Sequence, residues 1–305
     1  MKYFQIVINL SMLTAVVAAT TVARAQDAHF TQGQDMNIWY NPALKTNKLP
    51  QAHISIRSVN YPNIIAYTSK AATIELPLIG RDKDREDDIP FMNLAAGINA
   101  ESSNDRFMNV STAMMAFSYA LPLNGDDTYL AAGFQGAYTF SRVGLGTFDH
   151  FPDQFDKYGA LGPAIASDPF QSGYSYGYFT AGAGVSVFHN GEKKQWYLGG
   201  SILHFNHPYT EWTHAARLQA NNGIQAGYMT AITNEDAIGG YASFSWQDGI
   251  NKHFIGAIYT RNLDDSAHNA ISCGAGYRIG DAVIPDIGLT VGGSRFAFYY
   301  EINLP

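Results

Sequence analysis

Apolar and polar residues alternate along two stretches on either side of Asn190-Gly191, and this pattern predicts a long β-hairpin. Asn-Gly favours a type I′ turn, because both central residues of that turn need positive φ. A two-residue turn here sets Val185 opposite Trp196 and Phe179 opposite Ile202. One face of the hairpin is then apolar, and the other carries glycine, serine, threonine and tyrosine. A slip of one residue would exchange the two faces.

The same pattern recurs around Asn124-Gly125 and predicts a second hairpin. Its register sets Phe117 opposite Ala132 and Met115 opposite Phe134, so large apolar residues again share one face. The opposite face carries Gly133, Gln135, Thr139 and Ser118. Two hairpins of this kind suit either a soluble β-sandwich or a barrel in lipid.

Further strand-like runs extend from Gln51 to the end of the sequence. The predicted strands are 51–58, 63–78, 91–102, 107–122, 128–142, 173–188, 195–205, 216–230, 238–247, 251–262, 268–280 and 286–302. Several exceed the roughly 5 to 6 residues usual in globular proteins, which favours a barrel.

The lengths of the connections also favour a membrane barrel. If each strand crosses once from a periplasmic start, both Asn-Gly turns lie on the periplasmic side. The longest connections, 143–172 and 206–215, then lie outside, as is typical of bacterial outer-membrane barrels. The acidic connection 81–90 is an exception, because it is long and lies on the inner side.

Two side chains are predicted to face lipid on this interpretation. Trp196 lies next to the inner turn, where an aromatic girdle is expected. Alternation across 271–279 turns Cys273 to the same outer face.

The N-terminus has the features of a secretory signal peptide. Lys2 precedes an apolar stretch from Ile6 to Val22, and Ala23-Arg24-Ala25 matches a signal peptidase site. We expect cleavage after residue 25, a periplasmic segment at 26–50 and an outer-membrane β-barrel at 51–305. The residue directly after the cleavage site is Gln26 rather than a cysteine, so a lipoprotein anchor is not expected. Since no other run approaches the ~18 to 20 apolar residues of a spanning helix, the mature chain could cross a membrane only as a closed barrel.

Composition narrows the possible functions. Charged residues make up 15% of the chain, below the roughly 25% of soluble domains, and the net charge is −7. The acidic balance and the lack of a Lys/Arg cluster argue against nucleic acid as a partner. Cys273 is the only cysteine, so neither a disulfide framework nor a cysteine-based zinc site is expected.

Several segments together carry a family resemblance. They are Gln26–Gln32, Tyr40-Asn41-Pro42-Ala43, Asp153–Gly159, Leu198–Pro208 and Gly256–Arg261. In this order they resemble the PorP/SprF family of type IX secretion membrane proteins. The resemblance implies an outer-membrane barrel of about fourteen strands from Bacteroidota. It also implies work with the type IX machinery, in secretion or in holding secreted adhesins, including those of gliding motility. Phe298–Leu304 resembles the family's penultimate strand, and the sequence stops at Pro305 without the family's usual last strand, so we expect either a truncated sequence or a different closure of the barrel.

Three features of the sequence suggest a chemical site, but a simpler interpretation is favoured for each. His204, His207, Glu211 and His214 lie close together but match no helical His-x3-His spacing, so an exposed loop is favoured over a metal site. An acidic cluster resembles part of a calcium loop but lacks its glycine and last glutamate, so a solvated turn is favoured. It comprises Asp82, Asp84, Glu86, Asp87 and Asp88. No Gly-x-Ser-x-Gly elbow or other catalytic constellation is present, so we expect no enzyme, no cofactor and no small-molecule substrate.

The connection 143–172 is the most informative stretch outside the strands, because it is long and combines aromatic with acidic residues. It could dock a partner or fold inward as a plug, and we favour docking. The predicted partner-binding residues are Phe148, Phe151, Asp153, Gln154, Phe155, Asp156, Tyr158, His207, Tyr209 and Trp212. The sequence thus predicts a non-enzymatic outer-membrane barrel that binds type IX components or a secreted surface adhesin. A passive diffusion pore is the alternative, and a soluble secreted β-sandwich is a third.

Overall fold

The computed structural model describes residues 33–44, 48–60, 66–79, 89–103, 108–123, 127–143, 155–156, 159–160, 174–210, 216–264 and 269–304. The described chain is almost entirely β-strand. A 3₁₀ helix, η1, spans Gly33–Trp39. No helix in these ranges is long and apolar enough to cross a bilayer.

The strands follow one another along the chain with short connections between most of them. They are β1 (Gln51–Val59), β2 (Tyr67–Ile79), β3 (Phe91–Ser103), β4 (Met108–Pro122), β5 (Thr128–Val143), β6 (Phe155–Asp156), β7 (Gly159–Ala160), β8 (Tyr174–Asn190), β9 (Lys194–Leu203), β10 (Asn221–Ala231), β11 (Asp236–Gln247), β12 (Ile250–Asn262), β13 (Ala270–Arg278), β14 (Ala282–Val291), β15 (Ser294–Tyr299) and β16 (Ile302–Asn303).

Fourteen of these strands form one antiparallel sheet, which confirms the predicted all-β fold. Each strand from β1 to β15 pairs with the next in the chain, except that β5 pairs directly with β8. The short strands β6 and β7 pair with each other in a separate sheet of two strands. Both β15 and β16 pair with β14.

The two ends of the sheet approach each other, so the sheet curls into a barrel. Arg57 in β1 donates two hydrogen bonds to the carboxylate of Glu301, which lies between β15 and β16, at 3.0 and 3.1 Å. Arg278 in β13 donates to the same carboxylate at 2.8 Å and pairs with Asp281 at 2.5 Å. These four charges link the first strand to the last strands through side chains.

Connections alternate between the two ends of the barrel. We call the end with connections 144–173 and 204–220 the loop end. The opposite end, where β1 begins and where 191–193 and 232–235 connect strands, is the turn end. This is the predicted arrangement, and the connection 80–90 also lies at the turn end as expected.

The outer face of the barrel is apolar along its middle. Its large apolar side chains are strongly exposed, for example Ile54 at 82% and Met115 at 75%. The charged residues at outward positions of the described strands all lie within the first or last four residues of their strand. They are Lys70, Arg142, Lys194, Asp236 and Arg261. Such a surface, apolar at mid-height and charged at its rims, suits contact with lipid.

The predicted faces are correct, but both predicted registers are wrong. Val185 pairs with Gly200 rather than with Trp196, a shift of four residues. Phe117 pairs with Phe134 rather than with Ala132, a shift of two. The faces survive because both shifts are even and the side-chain period of a strand is two.

The cause of the larger shift is the turn at Asn190-Gly191. Neither residue has positive φ, so the type I′ turn is absent. The connection spans residues 191–193, and Asn190 pairs with Gln195. Trp196 nevertheless lies on the outer face near this connection, stacked on His189 with ring centroids 6.1 Å apart. The turn residues 124–126 of the other hairpin lie outside the described ranges.

The predicted single strand 286–302 is also wrong, because it contains a hairpin. Gly292 and Gly293 have φ of +57° and +82° and join β14 to β15. Val291 pairs with Ser294, so the connection is a two-residue turn of the kind that favours two residues with positive φ. Gly-Gly is a hairpin signal that could have been read from the sequence.

Candidate functional site

The lumen of the barrel holds part of the N-terminal segment. Met36, Ile38, Ala43 and Leu44 are each at most 2% exposed. We call residues 36–44 the plug. The predicted boundaries of the periplasmic segment, 26–50, remain a prediction, and residues 1–32 lie outside the described ranges.

Asn41 fixes the plug to three strands on one side of the lumen. Its Nδ2 donates to the backbone oxygens of Val185 and Gly200 at 3.3 Å each and to Oε1 of Gln225 at 3.1 Å. Its Oδ1 accepts from the backbone N–H of Ala43 at 2.9 Å. Since Asn41 is fully buried, these bonds satisfy a polar side chain that would otherwise be costly to bury.

Ala43 is held by a further bond, and the plug also contacts the opposite wall. The hydroxyl of Ser186 donates to the backbone oxygen of Ala43 at 2.6 Å. On the other side, Trp39 packs with Ile38 against a cluster that includes Met114. Met36 packs against Ala71. The plug therefore bridges β2 and β4 to β8, β9 and β10.

Glycines on the inner face make room for the plug. A Cβ added at Gly133 would lie 2.8 Å from the backbone oxygen of Pro42, and one added at Gly199 would lie 2.7 Å from Asn41 Nδ2. Gly184 lies between them in the sheet and pairs with Gly133. The inner face is glycine-rich here because a polypeptide backbone passes over it.

Three aromatic rings pack together beneath Ala43 at the turn end. Tyr129 stacks on Phe188 with ring centroids 5.3 Å apart, and Phe91 meets Tyr129 edge to face at 5.5 Å. All three are at most 2% exposed. The Nζ of Lys48 lies 4.8 Å from the centroid of the Tyr129 ring.

A cavity lies on the other side of the plug, toward the loop end. The space within it that water-sized molecules can occupy amounts to about 80 Å³. Trp39 and Tyr40 of the plug line it, together with inward residues of β3, β4, β5, β8 and β9. We call it the loop-end cavity.

The polar lining of the loop-end cavity is rich in hydrogen-bond acceptors. Asn99 is 3% exposed, and its Oδ1 has no hydrogen-bond partner among the described residues; nor does Oε1 of Gln135. Glu101 accepts hydrogen bonds from the hydroxyls of Tyr67 at 2.5 Å and Ser69 at 3.4 Å. His204 also lines the cavity.

Of the predicted partner-binding residues, His207 and Tyr209 are the ones whose side chains are described. They lie at the loop end, in the connection between β9 and β10. His207 Nδ1 lies 3.3 Å from the backbone oxygen of Leu218, and Arg217 lies over the Tyr209 ring, 4.3 Å from its centroid. Phe155 and Asp156 form β6, and nothing is described of their side chains. Phe148, Phe151, Asp153, Gln154, Tyr158 and Trp212 lie outside the described ranges.

The histidines considered for a metal point to different places. His204 lines the cavity, His207 contacts the Leu218 backbone, and Glu211 and His214 lie outside the described ranges. Within the described part of the chain, no group of three or more His, Cys, Asp or Glu side chains could hold a metal ion. The acidic cluster between residues 82 and 88 also lies outside it.

An antiparallel barrel with an apolar exterior, whose lumen holds part of its own N-terminal segment, is the architecture of a β-barrel membrane protein. The family model described as type IX secretion system membrane protein PorP/SprF matches residues 22–305. The chain therefore belongs to the PorP/SprF family, as the sequence motifs predicted. This is a family of secretion-system membrane proteins rather than a known enzyme family. No curated protein sequence matches the chain.

Proposed function

We propose that this protein is an outer-membrane anchor of the type IX secretion system, which binds secreted surface proteins at its loop end and does not conduct solutes. Family membership supports the link to type IX secretion. The plug is the observation that supports the rest, because a segment held inside the lumen by Asn41, with aromatic rings packed beneath it, would hinder diffusion.

The loop end is the better candidate for the binding surface. It carries the longest connections, including 144–173 and 204–220, and the loop-end cavity opens toward it. In outer-membrane barrels the longer loops are extracellular. The partner-binding residues predicted in these connections, Phe148 to Tyr158 and His207 to Trp212, remain proposals on the same reasoning.

A diffusion pore is the competing function, and one observation favours it. Arg57, Arg278 and Glu301 point inward near the loop end, and rings of charged side chains select ions in channels. The two functions differ in conductance. We expect the purified native protein to leave a planar lipid bilayer without step conductance, and removal of residues 33–44 to produce it. Open-channel steps from the native protein would favour the pore.

Anchoring is tested by purifying the tagged protein from its own outer membrane in mild detergent and identifying co-purifying proteins by mass spectrometry. Recovery of type IX components or of a large surface adhesin would support the proposal. Deleting residues 147–170 should leave the barrel inserted and remove the secreted partner. As a matched control, deletion of the acidic residues 82–88 at the turn end should leave partner recovery unchanged. Retention of the partner after deletion of residues 147–170 would contradict docking by that connection.

A further inference from the structure

The loop-end cavity combines unpaired acceptors, a carboxylate and aromatic rings. We propose that it binds a cationic N–H donor, an ammonium or guanidinium group, carried by a lysine or arginine side chain of the polypeptide that the barrel holds. That the ligand belongs to a polypeptide held by the barrel rests on the proposed function. That the ligand is a cationic donor rests on the side chains that line the cavity.

Two amide oxygens in the wall need a donor. Asn99 lines the cavity and is almost fully buried, and its Oδ1 has no protein partner among the described residues. Gln135 also lines the cavity, and its Oε1 likewise has no partner among the described residues. A buried acceptor without a donor is unfavourable, so a ligand that supplies N–H groups gains from filling both.

Glu101 sets the sign of the charge. It is the carboxylate that lines the cavity, and no lysine or arginine lines it among the described residues. Tyr67 and Ser69 hold the Glu101 carboxylate by hydrogen bonds but do not neutralise its charge. Arg57, on the strand next to Tyr67, has its guanidinium committed to Glu301. A cationic ligand would therefore supply the missing counter-charge.

Aromatic rings complete the site. Trp39 of the plug and Tyr178 of β8 line the same cavity as Glu101. The faces of such rings attract ammonium and guanidinium groups, most strongly where water is displaced. An anionic or purely apolar ligand would leave the amide oxygens and Glu101 unsatisfied, so the lining selects for positive charge.

The test is calorimetric titration of the purified full-length barrel in detergent with three probes. The first is a blocked glycine peptide with one central lysine, the second is the same peptide with glutamine, and the third is n-butylammonium, which resembles a free lysine side chain. We expect the lysine peptide to bind at least tenfold more tightly than the glutamine peptide. Equal binding of the two peptides would overturn the proposal. Tighter binding of n-butylammonium than of the lysine peptide would contradict the proposal that a polypeptide carries the cation.

Variants locate the binding to the cavity. Glu101→Gln should abolish the preference for lysine, whereas Glu192→Gln, the same change in the exposed connection 191–193, should preserve it. Asn99→Leu removes the buried acceptor without changing the charge and should weaken binding of the lysine peptide about tenfold. This second variant keeps the proposal testable if Glu101→Gln does not fold. Heat-dependent gel mobility checks folding of each barrel. Preserved lysine preference in folded Glu101→Gln would contradict the proposal.

The outcomes of the cation-binding test and of the anchoring test can be distinguished. A barrel that retains its secreted partner but does not prefer the lysine peptide leaves anchoring in place and overturns the cation site. A barrel that prefers the lysine peptide but recovers no secreted protein supports the cation site and contradicts anchoring.

Discussion

Asn41 packs so closely against Gly184 that a Cβ added at Gly184 would collide with Asn41 Oδ1. Gly184 therefore has a specific reason to lack a side chain. The plug and the inner face of β8 fit each other. Substitutions in either of them can therefore test how the plug is held in the lumen.

Gly184→Ala should destabilise the barrel by about 1–3 kcal/mol, the usual effect of overfilling a packed site, and should loosen the plug. Unfolding in denaturant measures the first effect, and step conductance in a lipid bilayer measures the second. Gly200→Ala is the matched control, because a Cβ at Gly200 would have its nearest neighbour, the oxygen of Gly223, 3.9 Å away. A folded, fully sealed Gly184→Ala barrel as stable as this control would show that the contact is not tight.

Asn41→Leu should lower the free energy of unfolding by about 2 kcal/mol, because it leaves the buried N–H of Ala43 without its acceptor and Oε1 of Gln225 without the donor that Asn41 supplies. Leucine keeps a similar volume, so the loss reports hydrogen bonding rather than a cavity. Asn222→Leu is the control, since Asn222 is exposed on the outer face of β10, and its effect should stay within about 0.5 kcal/mol. Equal stability of the two variants would mean that the Asn41 bonds do not hold the plug.

Glu301→Gln should destabilise the barrel more than Arg57→Gln does. Without the Glu301 charge, Arg57 loses its carboxylate partner beside Arg278, which keeps its pair with Asp281, whereas without Arg57 the carboxylate keeps Arg278 at 2.8 Å. We expect losses of about 3 kcal/mol and about 1 kcal/mol respectively in denaturant unfolding. Arg261→Gln removes a pair that is half exposed, with Glu235 at 2.9 Å, and should change stability less than either of these variants. The opposite order of the first two variants would refute this account of how the first and last strands are joined.

Alternation predicted the faces of the strands well because it is a local property with a period of two. Val185 and Leu198 face outward as expected, although the predicted partner of Val185 is four residues away from the real one. Register depends on the length of the turn, and the dipeptide Asn190-Gly191 did not determine that length. The hairpin at Gly292-Gly293 was missed because the residues on both sides of it continue the same strand-like pattern.

The plug could not be predicted from alternation, since it is a short segment without periodicity whose contacts with the barrel are all to distant strands. Two signals were nevertheless present. Met36, Ile38 and Leu44 are apolar residues in a segment assigned to the periplasm, and they need a surface to pack against. Gly133 and Gly184 fall on one inner face, where their lack of side chains leaves room for a backbone. Only the folded structure shows that the plug lies where these glycines leave room.

The apolar exterior makes a prediction about the membrane itself. Leu198 lies near the middle of β9 and is 56% exposed on the outer face. Leu198→Lys should destabilise the barrel in lipid vesicles by about 2–4 kcal/mol, because the charge would be placed near the bilayer midplane. Thr230→Lys, at an outward position near the turn end of β10, should cost no more than about 1 kcal/mol because its charge can reach the interface. Reversible unfolding from vesicles measures both. If the two lysines have the same effect, the middle of the outer face does not lie in hydrocarbon.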